Sequence, residues 1–452
     1  MTDLRAFKEA FASLPRGAAE AEANAESHGV GRVEVHGGAV TGADRSEDQA
    51  LYLRVSGDRT GYSYTQDLRD DPEKLLLEAF ENGRFSESPS PDEIRRGSDA
   101  VAMDLGDVEA KLDIDSLGRF GRDFERDLLA LAPGISEVFL SARAETIGMR
   151  TVNSRGLDVA ATRPLYILSA VANSEKGGRL YTASYNRTAS ALENFSVEDF
   201  GLNLVEMLED QYDPKPFRSG FHKAILHRNV VYNIMSTAWQ LFSGQRYLER
   251  SSLFSGKLGD KVAADCLSMR DYPSRPDSGF DIACDCEGSA GGAVDLLDRG
   301  RLVGLMHNLA TAKALAAAPT GNAGRRPLLS GNIPTAIQVT PRNFCVEPGL
   351  RGLDEMVESL GEGILVTASF DVFHSINIAS GAFSIPCKGV VVRDGKRESA
   401  TGPLVLSGNL GDLLKGVEEV GSDFYIGTML ALDNYGIGAC SLRVGELSIS
   451  GA

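Results

Sequence analysis

The feature that most constrains the fold is a pattern that occurs twice in the first half of the chain. In its first occurrence Phe7, Phe11 and Leu14 recur at helical spacing, and Leu51, Leu53 and Val55 then alternate with Tyr52 and Arg54 as in a half-buried strand. A helix is predicted to begin at Asp71-Pro72, an N-cap with proline in the first turn, and to end near Gly83. In the second occurrence Leu117, Phe120, Phe124, Leu128 and Leu131 make one apolar helical stripe. Strands are predicted at 138–142, 165–172 and 179–185, after which Ser196 with Asp199 caps a helix carrying Phe200, Leu204 and Leu208. Helix, strands and closing helix follow in the same order both times. The N-terminal half is therefore expected to be a duplicated unit, with copies at about 1–85 and 112–210. The polar, proline-rich Ser86-Glu-Ser-Pro-Ser-Pro-Asp92 opens the expected linker, 86–100.

A chain of 452 residues is too long for one core. The break at Asp210-Gln-Tyr-Asp-Pro-Lys-Pro216 divides it into expected domains at 1–215 and 216–452. The second begins with a short strand at 224–226 and an apolar helix at 231–242, and has an Ala-rich helix at 308–318. Strand-like runs at 336–339, 363–372, 389–393 and 442–449 are separated by Gly, Asp and Asn turns. The fold class is α+β: a duplicated helix–strands–helix unit, then a β-rich half, barrel- or sandwich-like, with a few helices.

Net charge is −17, from 63 acidic against 46 basic residues. Such a surface repels phosphate backbones, so nucleic acid is not expected as a partner, whereas a basic partner or peptide is compatible. Six sparse, unevenly spaced cysteines fit reduced thiols better than a disulfide framework. Met1-Thr-Asp-Leu-Arg5 lacks a signal-peptide pattern and no run is long and apolar enough to span a bilayer, so a cytoplasmic protein without membrane contact is expected.

Three glycine-bearing segments stand out: Ser251-Ser-Leu-Phe-Ser-Gly-Lys-Leu-Gly-Asp-Lys-Val-Ala263, Asp285-Cys-Glu-Gly288 and Pro319-Thr-Gly-Asn-Ala-Gly-Arg-Arg-Pro327. Each marks a sharp turn or a close backbone approach. Their order resembles the TldD/PmbA family. Arg32-Val-Glu-Val35, Tyr52-Leu-Arg-Val55 and Gly61-Tyr-Ser-Tyr64 are similar to the family's N-terminal strands. Ser380-Gly-Ala-Phe-Ser384, Arg393-Asp-Gly-Lys396, Ser407-Gly-Asn-Leu-Gly-Asp-Leu-Leu414 and 442–451 are similar to its C-terminal signatures. The resemblance spans nearly the whole chain. In the family's active branch a His-Glu-x-x-x-His helix precedes the Ser/Gly/Lys segment. Here Met235, Ser236 and Gln240 stand at those three positions, so the chain resembles the PmbA (TldE-like) branch that lacks the zinc motif.

Other potential ligands are scattered along the chain. His222-Lys-Ala-Ile-Leu-His227 carries Lys223 where a general base would stand, and its strand-like text points the two rings apart; these read as edge or surface histidines. His28, His36, His307 and His374 show no acidic or thiol partner at helical spacing. Cys284-Asp-Cys286-Glu287 lacks a second pair at zinc-finger spacing and reads as buried thiols beside a turn. The resemblance places the active branch's third zinc ligand, a cysteine, in a loop like Tyr435-Gly-Ile-Gly-Ala-Cys440, where it is a remnant or a coincidence; an enzyme built on another ligand set around Cys440 is a third reading. No nucleophile elbow and no phosphate loop is present. Arg325-Arg326 suits a carboxylate or phosphate, or equally a structural ion pair or turn carbonyls. Trp239, with Met235 and Phe242, reads as core packing.

The resemblance implies a chain with no catalytic or metal-binding residue and no cofactor of its own. It would be the non-catalytic subunit of a cytoplasmic TldD/TldE-type metallopeptidase, acting in peptide maturation and in degradation of unfolded peptides. Zinc is expected in a TldD-like partner, and the substrate is an extended or unfolded peptide gripped by main-chain hydrogen bonds. Family-motif or peptide-cavity candidates are Ser252, Gly256, Gly259, Glu287, Gly288, Gly321, Asn322, Arg325 and Asn409. The alternative is a stand-alone homodimeric binding or regulatory protein, modulator-like and without protease activity.

Overall fold

The protein is described from a computed structural model that covers residues 3–85, 94–97, 113–275, 277–281, 283–325, 337–428 and 435–451. The duplicated pattern folds into one six-stranded antiparallel sheet. Its first copy supplies β1 (Glu20–His36), β2 (Ala39–Ser56) and β3 (Thr60–Thr65). Its second supplies β4 (Glu137–Asn153), β5 (Asp158–Lys176) and β6 (Arg179–Ala189). The order β3-β2-β1-β4-β5-β6 sets the copies back to back, with β1 and β4 paired from Glu22↔Asn153 to His36↔Phe139. Gly37-Gly38 and Gly177-Gly178 turn the hairpins β1–β2 and β5–β6, all four at positive φ, the pairing a tight two-residue turn demands.

The four α-helices described in this half lie on one face of the sheet. Helix α1 (Arg5–Ala10) and α2 (Pro72–Asn82) cover Ala21, Ala23, Ala25, Leu51, Leu53 and Val55. Helix α3 (Ile114–Leu131) and α4 (Val197–Glu209) cover Val33, Val35, Leu140, Ala142 and Leu168. Asp71 caps α2 by accepting from the Glu73 N–H, and Ser196 caps α4 by accepting from the Asp199 N–H, as the sequence predicts. The expected stripe on α3 breaks at its last turn, where Leu131 is 49% exposed. The strands run far longer than expected, because the two central ones, β1 and β4, pair with each other and with β2 and β5 over most of their length. The expected linker lies outside the described residues except for 94–97, where Ile94 is buried and Gly97 N–H donates to the Arg155 carbonyl.

In the second half five strands close a barrel: β7 (Gly220–Leu226), Gly363–Ser369, Ala382–Arg393, Leu404–Asn409 and Leu442–Gly451. Ring closure comes from Gly363–Ser369, which pairs in parallel with β7 and antiparallel with Ala382–Arg393. The strand predicted over 363–372 stops at Ser369, and Val372 opens a one-turn helix after Asp371 at φ 50°. The Ala-rich helix is shorter than expected, Leu309–Ala314, with Asn308 as its cap. A second sheet includes Met269–Asp271, Asn343–Val346 and Gly436–Ala439. Apolar contact is continuous from Phe124, Phe200 and Leu168 to Leu226, Val366 and Ile449. No described helix is long and apolar enough to cross a membrane.

Candidate functional site

The barrel strand β7 runs into α5 (Arg228–Ala238), which continues as the 3-10 turn Trp239–Phe242 and packs against Gly363–Ser369 and Gly436–Ala439. His222 and His227 are separated by this junction. His222 stays on the strand, its Nε2 2.9 Å from the Arg218 carbonyl and its ring against Phe217. His227 is not a surface residue: it is 5% exposed and caps α5 through Nδ1, and burial beside Arg228 pushes its pKa down to about 3. The chain leaves the barrel at this residue, which forces the ring inwards.

Met235, Ser236 and Gln240 are all buried. Ser236 donates to the Asn233 carbonyl at 2.6 Å and Gln240 to the Thr237 carbonyl at 3.2 Å, so both polar groups are bonded within their own helix. Met235, Trp239 and Phe242 belong to the core, and Trp239 meets Tyr435 edge-on at 5.8 Å. A thioether, a hydroxyl and an amide so placed do not fit zinc, which takes imidazole, thiolate or carboxylate. Cys440, just past the Gly436–Ala439 strand, is wholly buried, and burial pushes its thiol pKa up, away from the thiolate a metal needs. Among the described residues no three His, Cys, Asp or Glu side chains are grouped as a cation site.

The sequence candidates separate into two groups. Glu287, Gly288, Gly321, Asn322 and Arg325 come together against the sheet face opposite the helices. Arg54, 1% exposed, donates to Glu287 Oε1 at 2.9 Å and to Glu22 Oε1 at 3.0 Å. Arg325 lies 3.7 Å from Glu22 and over the Tyr52 ring, so the carboxylate it faces is the chain's own; Arg326 lies outside the described residues. Glu287 Oε2 accepts from the Leu309 N–H at 2.8 Å, at the start of the Leu309–Ala314 helix. Asp285 accepts from the N–H groups of Glu287, Ser289 and Ala323, fixing one glycine loop against the other. Asn322 donates to Asp271, which also accepts from the Arg342 N–H. Gly288 and Gly321 have φ of 74° and 75°, and a Cβ on Gly321 would sit 2.6 Å from the Arg342 guanidinium. Burial pushes Glu287 up to about 7 against the pull of Arg54, and Asp271 up to about 6. Carboxylates and guanidiniums removed from water alternate here, so the cluster joins the two halves electrostatically.

Ser252, Gly256, Gly259 and Asn409 lie apart from that cluster and shape turns. Ser252 Oγ donates to the Leu241 carbonyl and accepts from the Phe254 N–H, while Gly256 and Gly259 have φ of 77° and 90°. Asn409 caps Leu410–Lys415 and donates to the Ser380 carbonyl. Burial also raises the Cys284 thiol to about 12 and pushes the Cys286 thiol well up, which leaves both inert beside their turn.

A feature the sequence did not reveal lies farther along the same sheet face. A cavity of about 530 Å³ is lined by His28, Arg32, Asp44, Asp48, Arg143 and Ile167, among others. Under it Glu145 is fully buried, 2.7 Å from His28 Nε2 and 2.5 Å from Arg143 Nε. His28 has its acid across the sheet rather than along a helix, and only the β1–β4 register could reveal it. His374 also has an acidic partner, Asp371 three residues earlier at 2.5 Å, contrary to expectation. The one-turn helix closes that contact.

A sequence profile of the PmbA/TldA metallopeptidase C-terminal domain matches residues 219–451. A Methanothermobacter thermautotrophicus protein called a metalloprotease is 26% identical over 286 residues, 61% of this chain and 60% of that protein's length. A metalloprotease PmbA homolog of Haemophilus influenzae is 24% identical over 393 residues, 84% of this chain and 82% of that one. In fold, a Thermotoga maritima protein described as a candidate modulator of a DNA gyrase superposes with a TM-score of 0.85 at 22% identity, covering 99% of this chain and 100% of that one. TldE from Thermococcus kodakarensis superposes with a TM-score of 0.83 at 18% identity, covering 98% of each chain.

Proposed function

We propose, from the premise that this chain belongs to the PmbA/TldD metallopeptidase family, that it is the non-catalytic subunit of a two-chain cytoplasmic metallopeptidase. The observation that carries the reading is the state of the three positions where the family's active branch keeps its zinc motif. Met235 is core, and Ser236 and Gln240 are bonded to carbonyls of their own helix. Rebuilding a metal centre there would require opening the core around Trp239 and Phe242, so hydrolysis is assigned to a TldD-like partner that brings zinc. This chain's share is to hold that partner and to present an extended or unfolded peptide during maturation or degradation.

The reading is tested by purifying the chain alone and after mixing with the TldD-like chain of the same genome, with mass measurement and assay on an unfolded peptide. The expected outcome is a mixed-chain complex whose hydrolysis exceeds that of either chain alone. A homodimer that ignores the partner and changes no hydrolysis would instead favour a stand-alone binding protein.

A further inference from the structure

We propose that the edge of β2 left unpaired by the described strands is a docking strand for an extended, basic polypeptide. This deepens the reading above by naming the charge and place of the peptide, and it rests on that reading for its biological setting. β2 pairs with β1 from Ala39 to Ser56, but β3 covers its other side only from Leu51 to Ser56. Among the described residues no strand pairs with 39–50 on that side, so alternate N–H and C=O groups point outwards. Native sheets blunt such edges with bulges, prolines, short strands or charge. Register with β1 is unbroken between Glu34↔Gly42 and Glu20↔Ser56, and 42–50 holds no proline. Charge is the device left, and one sign is in excess: Asp44, Glu47 and Asp48 against Arg45.

The second copy of the unit supplies an internal comparison. Its equivalent edge, 158–165 of β5, is likewise not paired by β6, but 159–164 are half-buried, whereas 39–50 of β2 are almost wholly exposed. Cavities also flank the β2 edge on both faces. One, of about 530 Å³, takes Asp44, Ser46 and Asp48 from β2, and its Arg32 and Arg143 are each held by a glutamate of their own, Glu34 and Glu145; the other, of about 850 Å³, is lined by Arg45, Glu47, Gln49 and Asp113. A strand added there sends successive side chains to opposite faces, and both faces offer carboxylates. Lysine or arginine at alternate positions therefore complements the site. A second copy of β2 gains no net complementarity: two-fold antiparallel pairing about Ser46 sets Asp44 opposite Asp48, a like-charge contact that offsets the pairing of Arg45 with Glu47.

The test uses the full chain without a catalytic partner, so its failure would leave the pairing experiment untouched. Fluorescence anisotropy follows a labelled peptide of alternating Lys and Thr. Two further probes are the same peptide N-methylated either on every Lys or on every Thr, and a fourth is a Glu/Thr peptide. The expected result is binding of the Lys/Thr peptide, weakened at least ~10-fold by one of the two N-methylation patterns and by the triple substitution D44K/E47K/D48K. The triple variant should in turn bind the Glu/Thr peptide, which shows that its sheet still folds. Absence of binding by the unsubstituted chain, or equal binding of both N-methylated peptides, overturns the proposal. So does a dimer that the triple substitution dissociates, which would assign the edge to a second copy.

Discussion

Substitution of Arg54 by Met is the most informative perturbation of the buried cluster. Arg54 bonds Glu22 and Glu287 at once, and all three side chains are at most 1% exposed. Removing one partner of a buried ion pair costs about 3–5 kcal/mol, because the remaining charge is left uncompensated in a low-dielectric site. Here Arg325, 3.7 Å from Glu22, remains on one side, so the larger loss falls on Glu287. The cost should also depend on pH. Glu287 is already raised from 4.5 to about 7, so between those values the folded chain holds a proton that the unfolded chain has released. Stability contributed by this group therefore falls as pH rises through that window. Without Arg54 the carboxyl is pushed higher still, so the pH-dependent part of the R54M deficit opens only above about pH 7, where the native Glu287 ionises and the variant's carboxyl stays protonated; it shrinks by about 1.4 kcal/mol per pH unit as pH falls towards 7 and is constant below. Urea unfolding read by fluorescence of Trp239, the single tryptophan, measures this. Combining R54M with E287Q should recover much of the loss, since Glu22 keeps Arg325 and the carboxylate that Arg54 leaves behind is removed. A deficit below about 1 kcal/mol, or one equal at pH 8 and pH 5.5, would refute the reasoning.

Three further outcomes follow from the same geometry. Gly321→Ala should cost about 1–3 kcal/mol from its positive φ alone and more from the contact with Arg342, whereas Gly292→Ala, where a Cβ meets nothing, should be near neutral in the same unfolding assay. Phe200→Ala should cost about 3–5 kcal/mol, because that ring is wholly buried edge-on to both Phe124 and Tyr185. A thiol reagent should modify Cys266 alone of the six cysteines in the native protein, and slowly, since burial raises even its pKa; the other five should react only in denaturant.

Helices were legible where local chemistry marks their ends. Asp71-Pro72 and Ser196 cap the helices they predict, and the repeated order of elements marks the duplicated unit but not the β1–β4 pairing that joins its copies. Strand lengths were not legible. The opening of β1, Glu20-Ala-Glu-Ala-Asn-Ala-Glu26, has helix-like composition. It is a strand because Ala21, Ala23 and Ala25 fit beneath α1 and α2 while Glu22 meets Arg54 on the other face. Tertiary pairing overrides local preference there. The glycine motifs were legible as turns, but the partners of Glu287 lie in the first copy, and Arg54 is 233 residues away. His28 and Glu145 are 117 residues apart and meet only through the β1–β4 register. His227 was misread because the strand-to-helix junction, invisible to alternation, turns its ring inwards.

Metal analysis of the isolated chain is the most direct test of the central claim, that the α5 site has given up hydrolysis. After incubation with zinc and gel filtration, the account predicts well under one ion per chain and no hydrolysis that a chelator abolishes. One tightly held zinc per chain, lost together with peptidase activity on chelation, would contradict it.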